Sequence, residues 1–213
     1  MDILEIKDLE TLAQKRVPKM FFDYVNSGSW TETTYNENIS DFQKIKLRQR
    51  VAIDMSNRTM ATKMVNQSVS MPVAIAPTGL TGMQRADGEI LAAQAAEEFG
   101  IPFTLSTMSV CSIEAVAEKT KNPFWFQLYV MKDKKFMARL IDRAKEAKCS
   151  ALVLTLDLQI LGQRHKDVRN GLSTPPKLIP KHIYQVLTRP MWCLRMLTTK
   201  NHFFGILLGM LKE

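Results

Sequence analysis

Residues 124–158 read FWFQLYVMKDKKFMARLIDRAKEAKCSALVLTLDL, and this stretch decides the fold. Two short apolar runs, 124–130 and 151–158, flank a polar segment whose apolar residues recur at helical spacing. Asp133 stands at the start of that segment, where an aspartate can cap a helix by accepting a backbone hydrogen bond. The stretch therefore predicts a strand, an amphipathic helix and a second strand, which is the unit from which parallel sheets are built.

Two further apolar runs extend this pattern toward the amino terminus. They cover 71–76 and 101–106, and a turn-like segment follows the first of them. An Ala-rich helix is predicted over 87–99 with Gly100 as its end, and Ser112 is predicted to cap the next helix. Alternating strands and helices predict a parallel α/β fold, either a (β/α)8 barrel or a doubly wound sheet.

Polar residues at the carboxyl end of every predicted strand favour the barrel. In a barrel these ends converge on one face, which is where active sites lie. For any single residue the alternative is that a strand simply ends in a polar residue, but four successive strands share the feature. The residues are Pro77 and Thr78, Ser106 and Thr107, Gln127 and Tyr129, and Thr155 and Asp157.

The chain divides into three predicted segments, 1–69, 70–170 and 171–213. The first contains two short helices, one capped by Asp8 and one with Pro18 at its first position, followed by connecting segments and one short hairpin. The second contains the four βα units. The third is a basic, apolar segment.

Composition and charge exclude some classes of protein. The 213 residues are 46% hydrophobic, which is enough for a large core and excludes a wholly disordered chain. The three cysteines are far apart, which predicts neither a metal site nor a disulfide framework and fits a reduced, cytosolic compartment. The formal net charge is +8. Segment 171–213 carries six of the basic residues and one acidic residue.

Segment 171–213 combines this charge with many apolar residues, a composition typical of an interfacial, non-spanning membrane segment. The alternative is a loop whose apolar residues pack on further parts of a barrel. Nucleic acid is a poor candidate partner, because the charge lies in one apolar-rich segment without a known binding motif. The basic residues are Lys177, Lys181, Arg189, Arg195, Lys200 and Lys212, and the apolar ones include Ile183, Leu187, Met191, Trp192, Leu194, Leu197, Phe203, Phe204, Ile206, Leu207 and Leu208.

Several motifs occur in the order and at the spacing of one known family. They are Pro18-Lys-Met-Phe-Phe-Asp-Tyr24, Met71-Pro-Val-Ala-Ile-Ala-Pro-Thr78, Thr104-Leu-Ser106, Phe126-Gln-Leu-Tyr129, Leu154-Thr-Leu-Asp157 and Leu161-Gly-Gln-Arg164. Together they resemble the FMN-dependent α-hydroxy-acid oxidases and dehydrogenases, and most of all the bacterial membrane-associated L-lactate and mandelate dehydrogenases. The resemblance implies the amino-terminal half of a (β/α)8 TIM barrel, preceded by short helices, with FMN as cofactor.

The resemblance also implies roles for individual residues. The turn beside flavin N5 is matched by Pro77, Thr78 and Gly79. Side chains that hydrogen-bond the flavin ring are matched by Ser106, Gln127 and Thr155. The substrate-binding group is matched by Tyr24, Tyr129 and Arg164. Arg164 would hold the substrate carboxylate in a bidentate pair. Without the resemblance, Tyr24 is more simply a core tyrosine and Arg164 a solvated loop arginine, and His165 receives no role.

Other family features are absent from the sequence. The family's catalytic histidine lies in a Ser-Asn-His-Gly-Gly-Arg-Gln type motif, and neither this motif nor the phosphate-binding loops occur here. No residue present suits the role of catalytic base. The expectation is an amino-terminal fragment that alone binds FMN weakly or not at all and does not turn over lactate.

For the full-length parent, the resemblance implies FMN-dependent oxidation of an L-2-hydroxy acid, L-lactate to pyruvate, with electrons passed to a respiratory-chain acceptor. It further implies a homotetramer, bound peripherally to the cytoplasmic side of the inner membrane. Three alternatives stay open at this point. They are another FMN- or phosphate-binding barrel, an inactive remnant of such an enzyme, and a basic membrane-associated protein without enzyme activity.

Overall fold

The structure, a computed structural model, describes residues 2–160, 162–172, 179–201 and 206. In chain order the helices are α1 (Ile6–Arg16), α2 (Lys19–Val25), α3 (Thr33–Lys44), α4 (Thr81–Gln84), α5 (Gly88–Phe99), α6 (Ile113–Lys119), α7 (Lys134–Glu146), α8 (His165–Asn170), α9 (Pro180–Leu187) and α10 (Pro190–Thr198). The strands are β1 (Thr62–Met64), β2 (Gln67–Val69), β3 (Thr104–Ser106), β4 (Trp125–Tyr129) and β5 (Ala151–Thr155). Contacts divide the chain into two compact units, one made of 1–59 and 160–188 and the other of 60–159 and 189–213.

The first unit is helical, and its helix starts differ from those predicted. Asp8 lies inside the first turn of α1, where its carboxylate accepts the backbone N–H of Leu4 at 2.9 Å and of Glu5 at 3.1 Å. Glu5 is therefore the N-cap, and the prediction of Asp8 as cap is wrong by three positions. A carboxylate at the third helical position can reach back to these N–H groups, so the sequence pattern fits both positions. Pro18 precedes α2 and is not its first residue.

The helix α3 was predicted as a connecting segment. Its residues carry few apolar positions in a clear period, and every one of them is at least partly exposed. A helix that buries so little of its surface leaves no strong hydrophobic pattern in the sequence.

The second unit begins with the predicted hairpin, which is confirmed. β1 and β2 pair antiparallel, and the two connecting residues, Val65 and Asn66, both have positive φ angles, of 46° and 63°. Two consecutive left-handed residues form the tight turn whose twist matches the flanking strands.

The predicted parallel sheet is confirmed, and its strand order is β3-β4-β5. All pairings are parallel, and Ile75 forms an isolated parallel bridge to Phe103 on the outer side of β3. The first predicted strand, 71–76, is reduced to this bridge, because the prolines at 72 and 77 have no N–H to donate. Spatial order thus follows chain order, as in consecutive units of a barrel, whereas a doubly wound sheet reverses its order.

The core of the second unit lies between this sheet and the helices that follow its strands. Successive side chains of a strand point to opposite faces, so Phe126 and Leu128 face the helices while Gln127 and Tyr129 face the other way. Phe126 is 0% exposed and Gln127 is 1% exposed, so both faces of β4 are buried. The helices start at their predicted caps, since Ser112 and Asp133 accept backbone hydrogen bonds at 3.1 Å and 2.9 Å.

Candidate functional site

Three of the predicted cofactor-binding side chains form one hydrogen-bonded cluster in the second unit. Ser106 Oγ donates to Gln127 Oε1 at 3.3 Å, and Gln127 Nε2 donates to Thr155 Oγ1 at 2.8 Å. The parallel register causes this arrangement, because it aligns Ser106 with Gln127 and places Thr155 two residues further along the next strand. The carboxyl ends of β3, β4 and β5 are therefore joined through a single amide.

Thr107 completes the cluster. Its backbone N–H donates to Gln127 Oε1 at 3.1 Å, and its hydroxyl donates to the Gln127 carbonyl at 2.5 Å. The same hydroxyl accepts the N–H of Tyr129 at 3.3 Å. From the sequence, Thr107 was noted only as the end of a strand. Its hydroxyl, directly after Ser106, was the one feature of the sequence that could have indicated that Thr107 contacts the next strand.

The predicted turn beside the flavin lies next to this cluster. Pro77 and Thr78 are exposed and Gly79 is half-buried. The Thr78 hydroxyl donates to the Ala76 carbonyl at 3.4 Å, so it is held by its own turn and not by the Gln127 cluster. The Leu80 N–H donates to the Met108 carbonyl at 3.0 Å, which fixes the turn to the loop after β3.

Tyr129 ends β4 and pairs in register with Thr155. It is half-buried, and its backbone is fixed by the Thr107 hydroxyl. The second unit thus contains seven of the nine predicted site residues, at the carboxyl ends of β3, β4 and β5 and in the turn after the Ile75 bridge.

The other two predicted residues, Tyr24 and Arg164, are in direct contact within the first unit. The Arg164 guanidinium lies over the Tyr24 ring, with its Cζ atom 4.8 Å from the ring centroid. Its Nη2 atom donates to the Tyr24 carbonyl and, at 3.0 Å, to Ser27 Oγ. Arg164 is therefore held against α2 and is not a freely solvated side chain.

Asp167 is the anionic partner of Arg164. The Asp167 carboxylate lies 2.7 Å from Arg164 Nε, and the two side chains are 16% and 32% exposed. Burial raises the pKa of Asp167, and the charge of Arg164 opposes this effect. The sequence interpretation did not include Asp167, although a carboxylate three residues after an arginine is the spacing at which helical side chains meet.

The histidines of the first unit are engaged elsewhere. The His165 ring packs edge-on against Trp30, with ring centroids 6.2 Å apart. His182 is 1% exposed, and its Nε2 lies 2.6 Å from the Asn170 carbonyl. Among the described residues, no group of three or more His, Cys, Asp or Glu side chains could hold a metal ion.

The described part of segment 171–213 is helical and divides between burial and exposure. Trp192 Nε1 donates to the Met83 carbonyl at 2.8 Å, and Ile206 is 0% exposed, so these two belong to the packed second unit. Met191, Leu194 and Leu197 lie on one face of α10 and are 58%, 54% and 80% exposed. In the described portions of the chain, no helix is both long enough and apolar enough to span a bilayer. Leu161, Lys177, Phe203, Phe204, Leu207, Leu208 and Lys212 lie outside the described residues.

The chain is similar to L-lactate dehydrogenases in sequence. It is 46% identical over 185 residues to the L-lactate dehydrogenase of Acinetobacter baumannii, a match covering 87% of this chain and 48% of that protein. It is 44% identical over 192 residues to the L-lactate dehydrogenase of Acinetobacter baylyi, covering 90% of this chain and 50% of that protein. The chain thus spans about half the length of the curated relatives it matches.

Solved structures confirm the barrel fold. The monotopic membrane protein (S)-mandelate dehydrogenase aligns with a TM-score of 0.87 at 29% identity, covering 99% of this chain and 59% of that one. A lactate oxidase of Pediococcus acidilactici aligns with a TM-score of 0.77 at 28% identity, covering 90% of this chain and 53% of that one. A family model described as FMN-dependent dehydrogenase matches residues 13–208. The chain, a partial α/β barrel with a polar cluster at its strand ends, belongs to the FMN-dependent dehydrogenase family.

Proposed function

We propose that this chain supplies flavin-binding and substrate-binding residues to an FMN-dependent L-2-hydroxy-acid dehydrogenase that oxidises L-lactate to pyruvate. The observation that carries the proposal is the buried Gln127 amide, joined to Ser106 and Thr155 at the carboxyl ends of three adjacent parallel strands. A buried amide costs free energy unless it is paired, so its presence at the face where barrels bind ligands favours a binding role.

The chemistry of this cluster fits a flavin ring. The ring offers both hydrogen-bond donors and acceptors, and hydroxyl and amide groups can serve both. Gln127 Nε2 uses one N–H on Thr155, and among the described residues its second N–H takes no partner, so it can donate to a ring carbonyl. The exposed turn at Pro77 and Thr78 offers backbone groups that could approach a ring edge. Bound FMN would supply the two-electron acceptor for the oxidation.

Arg164 is proposed to hold the substrate carboxylate, with Tyr24 donating a second hydrogen bond to it. The contacts of Arg164 with Asp167, Ser27 and the Tyr24 carbonyl use Nε and Nη2. Nη1 has no hydrogen-bond partner among the described residues, and it can therefore bind a carboxylate oxygen without breaking an existing contact. The planar guanidinium, fixed on the Tyr24 ring, is pre-organised for this task.

Tyr129 is proposed to contact the hydroxyl or keto oxygen of the substrate. Removal of the hydroxyl proton needs a base whose pKa is near neutral. His165 packs on Trp30, and His182 is buried against a carbonyl, so neither is offered as that base. We propose that the base comes from a part of the whole protein outside these 213 residues.

The same protein is proposed to bind peripherally to the cytoplasmic side of the inner membrane and to pass electrons to a respiratory-chain acceptor. The exposed apolar face of α10, formed by Met191, Leu194 and Leu197, supports this proposal together with the neighbouring cations Arg195 and Lys200. A whole-protein L197E variant should lose sedimentation with anionic vesicles at low salt, while a variant at an exposed apolar residue of the first unit, Ile39→Glu, should retain it. Equal sedimentation of both variants would contradict the membrane role of α10.

The catalytic proposal is tested by flavin reduction. The whole protein that carries this sequence is purified with FMN, L-lactate is added without oxygen, and the visible flavin band is followed. Bleaching by L-lactate that is much slower with D-lactate is the expected result. Failure to bind FMN, or binding without reduction, would contradict the proposal and favour the inactive remnant or the non-enzymatic membrane protein. The isolated 213-residue chain is expected to show no reduction.

A further inference from the structure

We infer that Glu89 is a positioning residue that holds the turn 77–82 against the loop after β3, and this inference rests on the proposed flavin-binding role of that turn. The turn contains Pro77, Thr78 and Gly79, which are proposed to lie beside the flavin. Glu89 is the second residue of α5 and is 1% exposed.

One carboxylate oxygen of Glu89 connects the two loops. Glu89 Oε1 accepts the Gly82 N–H at 3.0 Å and the Val110 N–H at 2.9 Å. Gly82 is the second residue of α4, directly after the turn that contains Pro77, Thr78 and Gly79, and Val110 lies in the loop that follows Ser106 and Thr107. The carboxylate thus fixes the backbone behind two of the loops that carry proposed flavin contacts.

The packing around Gly82 shows how closely the turn is pressed onto this carboxylate. A Cβ atom added at Gly82 would lie 2.6 Å from Val110 Cβ and 3.0 Å from Glu89 Oε2. Contacts this short between carbon atoms are repulsive, so only glycine allows the present distance between the loops. Gly82 and Glu89 therefore both keep the turn close to the loop after β3.

The cost of burying Glu89 is the second, independent observation. Its Oε2 atom is buried and has no N–H or O–H partner among the described residues, and only the weakly donating Cys111 thiol lies near the carboxylate. A buried, half-paired carboxylate costs free energy that an apolar side chain would avoid. A residue serving stability alone has no need of this group, whereas fixing two backbone N–H groups at one point requires an acceptor there.

The experiment compares three variants of the whole protein by hydrogen–deuterium exchange without added FMN. E89A should raise exchange in peptides covering 77–84 and 107–112 by about tenfold or more, because hydrogen bonds to a charged acceptor are lost and local opening becomes easier. E89Q retains an acceptor oxygen and should exchange within about threefold of the parent protein. Leu140→Ala, which opens a cavity under α7, should lower stability without raising exchange selectively in these two peptides.

A second measurement on the same variants is FMN affinity, from quenching of flavin fluorescence. E89A should bind FMN about tenfold more weakly, while E89Q and Leu140→Ala should stay within about threefold of the parent protein, since pre-organised loops cost less to order on binding. Unchanged exchange in both peptides of E89A, or failure of E89Q to restore it, would overturn the inference. If the parent protein binds no FMN, the proposed function fails, but the exchange data still decide the role of Glu89.

Gly82→Ala provides a variant that keeps the carboxylate. Its new Cβ would push the turn away from Val110, so it should raise exchange in the same two peptides. Should E89A fail to fold, this pattern in Gly82→Ala supports the inference, and its absence contradicts it.

Discussion

Replacing Gln127 with leucine tests whether the cluster at the strand ends is built as described. The substitution keeps most of the side-chain volume but removes both the amide oxygen and the amide N–H groups. The oxygen now accepts from the Thr107 N–H at 3.1 Å and from Ser106 Oγ at 3.3 Å, and the N–H donates to Thr155.

The burial of each partner determines the size of the effect. Thr107 is 0% exposed, so its N–H cannot turn to water, and leaving it unpaired costs about 1–3 kcal/mol. Ser106 is 3% exposed, and the loss of its hydrogen bond adds about 0.5–1.5 kcal/mol. Thr155 is half-buried and can form a hydrogen bond with water, so the loss of its bond to Gln127 adds little to the loss in stability. The expected loss in the free energy of unfolding is about 2–4 kcal/mol.

Urea denaturation followed by circular dichroism measures this loss in the whole protein. With an m-value of about 2 kcal/mol per molar urea, the midpoint should fall by roughly 1–2 M. Thr155→Ser is the matched control, because it keeps the hydroxyl that accepts from Gln127 Nε2 and removes only a methyl group from a half-buried side chain, so it should cost less than about 1 kcal/mol. A change below about 0.5 kcal/mol for Gln127→Leu would refute the description of Gln127 as a buried, paired amide, since surface substitutions fall in that range.

Three further predictions follow from the same structure. R164K keeps the positive charge but loses the planar guanidinium that contacts Ser27 and Asp167. The KM for L-lactate should therefore rise about tenfold or more, while FMN affinity stays unchanged. Equal KM values for the variant and the parent protein would contradict the proposal that Arg164 binds the substrate carboxylate. D133A removes the acceptor for the Phe136 N–H at 2.9 Å and should cost about 1 kcal/mol by urea denaturation, with D133N close to the parent protein. The Arg143 hydrogen bond lowers the pKa of Glu114 from its ordinary 4.5, so the stability it adds is present above that pH and is lost as the pH falls through the folded value. E114Q should therefore flatten the acid side of the stability profile and cost less than about 1 kcal/mol at neutral pH, because the Glu114 side chain is 55% exposed.

Local sequence signals predicted the elements whose ends are fixed by nearby residues. Ser112 and Asp133 cap helices through hydrogen bonds to the residue three positions later, and Gly100 ends α5 with a φ of 67°. Such interactions are encoded within one helical turn, so a short pattern is enough to reveal them. The helix α3 was missed because it packs little apolar surface and therefore lacks the pattern on which the prediction relied.

The family motifs in the sequence also pointed to the residue types of the candidate site. Ser106, Gln127 and Thr155 were expected at strand ends, and the structure joins them by hydrogen bonds. Tyr24 and Arg164 were expected to share a role, and the structure places them in contact. Their roles toward FMN and substrate stay predictions, which the experiments above test.

The sequence by itself determined the alternation of strands and helices, because hydrophobic period and helix caps are local properties. Only the tertiary structure decided the hydrogen-bond partners of Gln127 and the ion pair of Asp167 with Arg164. It also decided that Glu89 accepts hydrogen bonds from the Gly82 and Val110 N–H groups. The Gln127 amide meets Ser106 and Thr155 across 21 and 28 residues of chain. Such contacts depend on the register between parallel strands, and that register is set by the packing of the whole sheet against its helices and by no single stretch of sequence.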